Sequence, residues 1–372
     1  MTARIALLLL TFALAACTGE TIDELDTGTE IARTVEAWAQ RTPVPGVVVA
    51  MSGDGLGDYQ FAYGTLTRDG DQPMEVPTPF RVASITKTLV AVVVLQLVEE
   101  GRISLDDGVL DWLPESPLDS GLSTNLERAT IRDLLAHTSG LPDSGRIPEL
   151  IDALRAHPQA NWTTSEILNL VADREREFEP GGSYGYSNTN YLVLGMVIEQ
   201  LTGVPWWREV RARILDPVSM SSSYVAGYED PIGTLSPGYF DLDNDGFTEK
   251  IPHPWPALET SEGASGALVS AVRDLIRFME ALTGGDLISE LSLREMTTPG
   301  EYSSRFTGYG LGVEVLQPDL ETTVWGHGGF LPGHRGVLWH VPEHDLTVAV
   351  LTNESRSRPD SLAELILDTA VR

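Results

Sequence analysis

The 372-residue sequence is almost without cysteine, poor in lysine and short of positive charge. Cys17 stands alone, which excludes an intrachain disulfide and a zinc site built on several thiolates. Lysine occurs only at Lys87 and Lys250. Where arginine supplies nearly all the cations, a lysine can be present for its capacity to lose a proton, which arginine lacks. Asp and Glu total 54 against 25 Lys and Arg, a net charge of −29. Such a surface repels phosphate backbones and anionic headgroups, so no nucleic-acid partner is expected, and an anionic substrate would need a locally positive site. What remains is globular: 42% hydrophobic residues, with 35 Gly and 23 Pro spread along the chain, in a length ample for a buried core.

The longest apolar run, Ile5 to Ala16, is interrupted only by Thr11 and is too short to cross a bilayer. Behind Arg4 it fits the core of a signal peptide over residues 1–16. It ends Leu14-Ala15-Ala16-Cys17, which resembles a bacterial lipoprotein signal, with Cys17 as the lipidated residue. Residues 17–30 read as an acidic tether, and the expected location is outside the cytoplasm, membrane-anchored through the N-terminal lipid.

From Ile31 onward the spacing predicts a helix to Gln40, then strands Val44–Met51 and Tyr59–Leu66 around a glycine-rich turn. Strands are expected at Gly310–Leu316, Thr323–Trp325, Gly336–Val341 and Leu346–Leu351, with a closing helix from Ser361 to Val371. The two ends of the chain should share one antiparallel sheet, and the residues between are read as mostly helical. The fold class is therefore α+β: a sheet subdomain of residues 31–80 and 305–372, flanked by N- and C-terminal helices, with a helical subdomain at 81–304 inserted into it. Valines at 90 and 92–94 favour a strand locally, but the uninterrupted length from Ser84 to Gly101 and the terminal glycine favour a buried helix.

Three short motifs carry chemistry. Serine needs a base held against its hydroxyl and donors aimed at the developing oxyanion. In Ser84-Ile85-Thr86-Lys87 the hydroxyl and the amine converge one helical turn apart, and burial would lower the amine's pKa toward that of a base. Alone, the tetrapeptide reads equally as an N-capping serine with a solvated lysine. Tyr186-Ser187-Asn188 precedes a predicted helix and offers a phenol to move protons and an amide to orient partners. By itself it reads also as a packed tyrosine with an asparagine turn. In Trp325-Gly326-His327-Gly328-Gly329-Phe330, near the end of a late strand, the glycines allow close approach by a substrate, and His327 offers a donor or a positive charge. The plain alternative is a glycine-rich hairpin with a surface histidine.

Together and in this order, the motifs resemble the penicillin-recognising serine hydrolases, the serine beta-lactamase and DD-peptidase superfamily, and most closely its DD-carboxypeptidase and class C beta-lactamase-related branch. Phe80 to Lys87, Leu134-Leu135-Ala136-His137-Thr138-Ser139-Gly140-Leu141 and Tyr186 to Tyr191 carry the likeness, which spans the chain from about Ile31. The resemblance implies a beta-lactamase/transpeptidase-like fold, Ser84 as the acylated nucleophile, Lys87 as its activator and Tyr186 as the proton shuttle. It implies Asn188, His327, Gly328, Gly329 and Phe330 as substrate-binding residues, with an oxyanion hole from the amides of Ser84 and Phe330. No cofactor and no metal are implied. The expected substrate is a small molecule or peptide, a D-alanyl peptide or beta-lactam leading, with an ester or a catalytically idle penicillin-binding sensor as alternatives.

Two departures bear on substrate. Gly328 stands where the family has a hydroxyl residue, and Glu314 stands where the carboxypeptidases carry an arginine for the substrate's terminal carboxylate. Arg335 is read either as a compensating cation or as a structural ion-pair donor. Other signals were weaker. Asp241 to Gly246 begins like a calcium loop, but Pro252 occupies the twelfth position, and a polar hairpin turn is the preferred reading. His137 is read as a structural hydrogen-bonder, and no Gly-x-Ser-x-Gly elbow is present. Cys17→Ser is expected to abolish incorporation of a palmitate analogue and move the protein from the membrane to the soluble fraction; an unchanged membrane fraction would exclude the anchor.

Overall fold

A computed structural model describes residues 27–53, 58–113, 120–243, 245–300, 308–317 and 322–371. The signal segment and Cys17 lie outside these residues. The last tether residues, 27–30, form the first turn of a helix, α1 (Thr27–Arg41), with Glu30 at its positive end. The helix therefore begins earlier than the apolar spacing indicated, because its first turn is polar and buries no large side chain.

Strands β1 (Gly46–Ser52), β2 (Tyr59–Gly64) and β3 (Phe80–Arg81) follow, then α2 (Ile85–Glu99). The inserted region continues with α3 (Ser120–Leu126), α4 (Ile131–Leu135), α5 (Pro148–Ala156), α6 (Thr164–Ala172), α7 (Asn188–Thr202) and α8 (Trp206–Val210). After β4 (Tyr224–Val225) and the hairpin β5 (Tyr239–Phe240) and β6 (Glu249–Lys250) come α9 (Pro256–Gly266), β7 (Leu268–Ser270), α10 (Val272–Thr283) and α11 (Glu290–Thr297). The chain closes with β8 (Gly308–Tyr309), β9 (Glu314–Leu316), β10 (Val324–Leu331), β11 (His334–Val341), β12 (Leu346–Thr352) and α12 (Pro359–Ala370).

The main sheet has the order β2-β1-β12-β11-β10-β9-β8, so both ends of the chain meet in one antiparallel sheet through β1 and β12. One face packs on α1 and α12 through Val47, Val49, Val348, Val350, Ile31 and Ile366. The other covers α2, whose side chains are buried on nearly every side, from Ile85 to Leu97. A helix apolar all round is a core helix, which explains why valine propensity is overridden here. The inserted region is not purely helical: β3, β7 and β4 form a small second sheet, and β5 pairs with β6. These strands of two or three residues are too short to leave a periodic pattern in the sequence.

The third motif also differs from its reading. β10 does not stop at Trp325 but runs to Leu331, paired with β11 from Trp325↔His340 to Leu331↔His334. Glycines 326, 328 and 329, expected to admit a substrate near the strand's end, lie inside the strand and also permit close approach of the protein's own backbone; the alternative of a hairpin turn does not hold. A Cβ on Gly329 would lie 2.1 Å from the carbonyl oxygen of Val82, and one on Gly326, where φ is +152°, would lie 1.9 Å from that of Leu338. The approach of Gly329 to Val82 brings β10 against the turn that carries Ser84. Gly329→Ala is expected to lower stability by roughly 1–3 kcal/mol in thermal unfolding and to depress hydrolysis more than Gly285→Ala, a variant strained by its φ of +82° but far from any atom a Cβ would meet. Equal activities of the two variants would contradict this role.

Candidate active site

Ser84 sits at the N-terminus of α2, and its side chain makes no capping hydrogen bond, so Oγ is left for other partners. The preceding Ala83 has φ +49°, a conformation L-residues rarely adopt, which turns the chain sharply from β3 into the helix. One turn on, Lys87 is fully buried. Its Nζ lies 3.0 Å from Ser84 Oγ, 2.7 Å from Asn188 Oδ1 and 2.8 Å from the carbonyl oxygen of Ser265. Tyr186 donates its hydroxyl to Ser84 Oγ at 2.9 Å. Groups 102 residues apart in sequence thus meet at one oxygen.

The two oxygens of Asn188 and Ser265 can only accept, so each takes an N–H from Nζ. A neutral amine has two such hydrogens and one lone pair, and the remaining neighbour is the Ser84 hydroxyl. Burial drives the amine in this direction, lowering its pKa to about 7, opposed by the nearby carboxyls of Glu262, Asp143 and Glu314. Burial pushes the Tyr186 phenol well above its ordinary value, so it is a proton donor rather than a standing phenolate. The arrangement gives a serine a base on one side and an acid on the other.

Local structure holds these groups. Asn188 opens α7; its N–H donates to Asp143 Oδ1 at 2.9 Å. The Ser187 N–H donates to His137 Nδ1, and Asn190 Nδ2 lies 2.9 Å from the same nitrogen. His137 is fully buried, and that burial holds its pKa well below the usual value, so it serves as a neutral hydrogen-bonder. The Ser265 carbonyl is presented where α9 breaks, at Gly263 with φ +45°.

The third motif is placed differently from its expectation. His327 is buried, its pKa pulled down to about 3 by desolvation, and its Nε2 lies 2.8 Å from the Tyr309 hydroxyl. Burial disfavours the positive charge among the two roles expected of it, donor or cation, and the alternative of a surface histidine does not hold. Gly328 has room for a side chain, with Glu314 Oε2 and the Gly336 oxygen in ordinary contact with a notional Cβ at 3.8 and 3.9 Å. The Gly328 N–H donates to Glu314 Oε2 at 3.3 Å. Burial raises the Glu314 carboxyl to about 7. Phe330 is 46% exposed and lines a cavity of about 310 Å³ together with Ser84 and Asn188.

Arg335 does not take the structural ion-pair role. Among the described residues it forms no ion pair, and its guanidinium lies 4.7 Å from the centroid of the Phe330 ring. Residues the sequence did not single out also enter the site: Ser265 through a backbone oxygen, which has no side-chain signature, and Tyr309 and Glu262 through packing. Elsewhere, the carboxylates of Asp241, Asp243, Asp245 and Glu249 come within 4.8 Å of one another on the β5–β6 hairpin, the polar turn expected there, and Asp241 is paired with Arg356 at 2.5 Å.

Lys87 acts as a base only when deprotonated, and it titrates together with Glu262, so the transition belongs to the pair. The value of kcat/KM is expected to fall as pH drops below about 7, where the amine gains its proton. Lys87→Arg, which keeps the charge and cannot surrender it, is expected to lose roughly 10²–10⁴-fold; a pH profile flat from 5 to 8 with an active Lys87→Arg would contradict the assignment.

Comparison with known proteins agrees with this geometry. Residues 31–371 match the family model described as Beta-lactamase. The chain is 27% identical to penicillin-binding protein 4* of Bacillus subtilis (strain 168), over 83% of this chain and 67% of that one. It is 29% identical to esterase EstB of Burkholderia gladioli, over 85% of this chain and 88% of the esterase. A solved D-stereospecific amidohydrolase from Streptomyces sp. superposes with a TM-score of 0.76 at 31% identity, covering 91% of this chain and 96% of its own. With the family model spanning nearly all the described residues, the chain belongs to the beta-lactamase family and is a serine hydrolase of the beta-lactamase/transpeptidase-like fold.

Proposed function

We propose that the protein hydrolyses amides or esters through an acyl-enzyme on Ser84, and that it prefers leaving groups without a carboxylate. The observation that carries the first part is the shared hydrogen-bond set at Ser84 Oγ and Lys87 Nζ. Ser84 attacks the carbonyl carbon while its proton passes to Lys87 Nζ, and the oxyanion is held by the backbone amides of Ser84 and Phe330. Tyr186 hands its phenolic proton to the departing nitrogen or oxygen, and the Lys87 ammonium restores it. Water then attacks the ester carbon, the same groups carry its proton, and Ser84 is released. Asn188 orients the amine, and Gly328 and Gly329 keep the strand slim beside the substrate.

The second part rests on Glu314. The leaving group is assigned to the Tyr186 side; there Glu314 accepts from the Gly328 amide, and positions 328 and 314 themselves supply neither a hydroxyl nor an arginine. Above about pH 7, where Glu314 is ionised, a second anion beside it is repelled by roughly 2–4 kcal/mol at 4–8 Å in a medium of intermediate dielectric. The likeness to a penicillin-binding protein favours a second reading, in which D-alanyl peptides or beta-lactams acylate Ser84. We also propose, from the sequence alone, that the enzyme works outside the cytoplasm, held to a membrane by lipid on Cys17.

A substrate panel tests the reading. A neutral acyl amide or short ester is expected to exceed an acyl-D-Ala-D-Ala peptide and a chromogenic cephalosporin in kcat/KM by tenfold or more, with Glu314→Gln narrowing the gap. Preference for the peptide would favour the second reading, and a stable adduct on Ser84 with no turnover of any substrate would indicate a sensor.

A further inference from the structure

The cavity lined by Ser84 and Asn188 does not include Tyr186, Gly328 or Glu314, the residues on the leaving-group side, so it receives the acyl portion of the substrate. Most of its wall is apolar, with Leu150, Leu154, Phe240, Trp255 and Leu258 among its residues. Arg155, in the last turn of α5, is the only cation among the described residues that line it, and its exposure places it at the rim. The backbone on either side of Arg155 is held. The Leu154 carbonyl accepts from Trp255 Nε1 at 3.2 Å, and the Pro158 carbonyl from the Ala257 N–H at 3.1 Å. The end of α5 is thereby tied to the start of α9, and the rim is a fixed part of the fold.

Arg155 is set apart by what it lacks. Asp and Glu outnumber Lys and Arg by 54 to 25, and most arginines of the described residues are in ion pairs, as Arg68 is with Glu354 and Arg213 with Glu100. Arg155 has neither an ion pair nor a hydrogen bond among the described residues, although Asp152 stands one turn back on the same helix. Nor is it the counter-charge of Glu262, which lines the same cavity and whose carboxyl answers to Lys87, Asp143 and Ser265. A second guanidinium without an ion pair, that of Arg335, lies against the Phe330 ring with its Nε buried and unpartnered, and adds positive potential to the wall that Phe330 forms. Arg155 keeps all its donors open. A free guanidinium at the rim of the nucleophile's cavity is the locally positive site that an anionic substrate of so acidic a protein requires.

We propose that Arg155 binds an anionic group at the far end of the acyl chain, which makes ω-carboxyacyl esters and amides, the half-esters and half-amides of dicarboxylic acids, the substrate class of this site. The proposal rests on the Ser84 acyl-enzyme reading. The methylenes of such a chain lie along Leu154 and Trp255, and its carboxylate meets the guanidinium in a charge-assisted hydrogen bond. The site is then polarised, positive where the acyl chain ends and negative beside the leaving group, where Glu314 stands.

The alternative is that Arg155 serves only the negative end of the α5 dipole, and paired substrates separate the two. The p-nitrophenyl monoesters of adipic, suberic and sebacic acids are compared with p-nitrophenyl hexanoate, octanoate and decanoate, each pair equal in chain length. At the best length the anionic ester is expected to exceed its neutral partner roughly threefold or more in kcat/KM, and Arg155→Gln to remove that preference through KM for the anionic ester. A neutral ester preferred at every length, or a ratio that Arg155→Gln leaves unchanged, overturns the proposal. Hydrolysis of p-nitrophenyl acetate keeps the two failures apart. If it is lost in Ser84→Ala and the anionic esters show no advantage, the Arg155 proposal falls alone; if it survives Ser84→Ala, the acyl-enzyme reading itself falls.

Discussion

A lysine amine has been taken out of water and surrounded by oxygens, and the rest of the structure follows from keeping it there. Two of those oxygens, on Asn188 and Ser265, accept hydrogens, and the third belongs to the serine the amine must deprotonate. A charged ammonium in this position loses its hydration without gaining a hydrogen-bonded carboxylate, so the neutral form is favoured near physiological pH. Asn188 reaches the amine from the start of α7, Ser265 from the break in α9, and Ser84 from the start of α2. Three helices therefore converge on one nitrogen, and a core helix apolar on all sides is what allows the lysine to be buried at all.

The close approach of strand and helix is the second constraint, and it is written in glycine. Gly329 touches the Val82 carbonyl, and Gly312, at φ +79°, would place a Cβ 2.5 Å from that of Ala91 on α2. Larger side chains would push β10 and its neighbours off the nucleophile turn. The same slimness leaves Gly328 without a hydroxyl, and Glu314 fills the adjoining electrostatic role with the opposite sign to a cation. Fold and specificity are coupled here through the absence of side chains.

Much of this was readable in the residues. Ser84 and Lys87 share a helical face by spacing alone, and the strands at the two chain ends carry enough alternating and continuous apolar residues to be found and joined into one sheet. The order of three motifs gave the family. Less readable was anything that depends on backbone geometry or on burial. The glycines of β10 have the composition of a turn and the pairing of a strand, and His327 has the chemistry of a cation but the surroundings of a neutral ring. Ser265 contributes through a carbonyl that every residue type possesses, and Glu262 is one acid among many in a strongly acidic chain until the cavity singles it out.

The scarcity of lysine makes the central claim directly measurable. With only Lys87 and Lys250 in the sequence, protein labelled with 13C at lysine Cε gives two resonances, and Lys250→Arg assigns them. The account predicts that the Lys87 signal titrates near neutrality, shifting between its ammonium and amine positions across about pH 6 to 8. A Lys87 signal that stays at the ammonium position up to pH 10, while the protein remains folded and active, would contradict it.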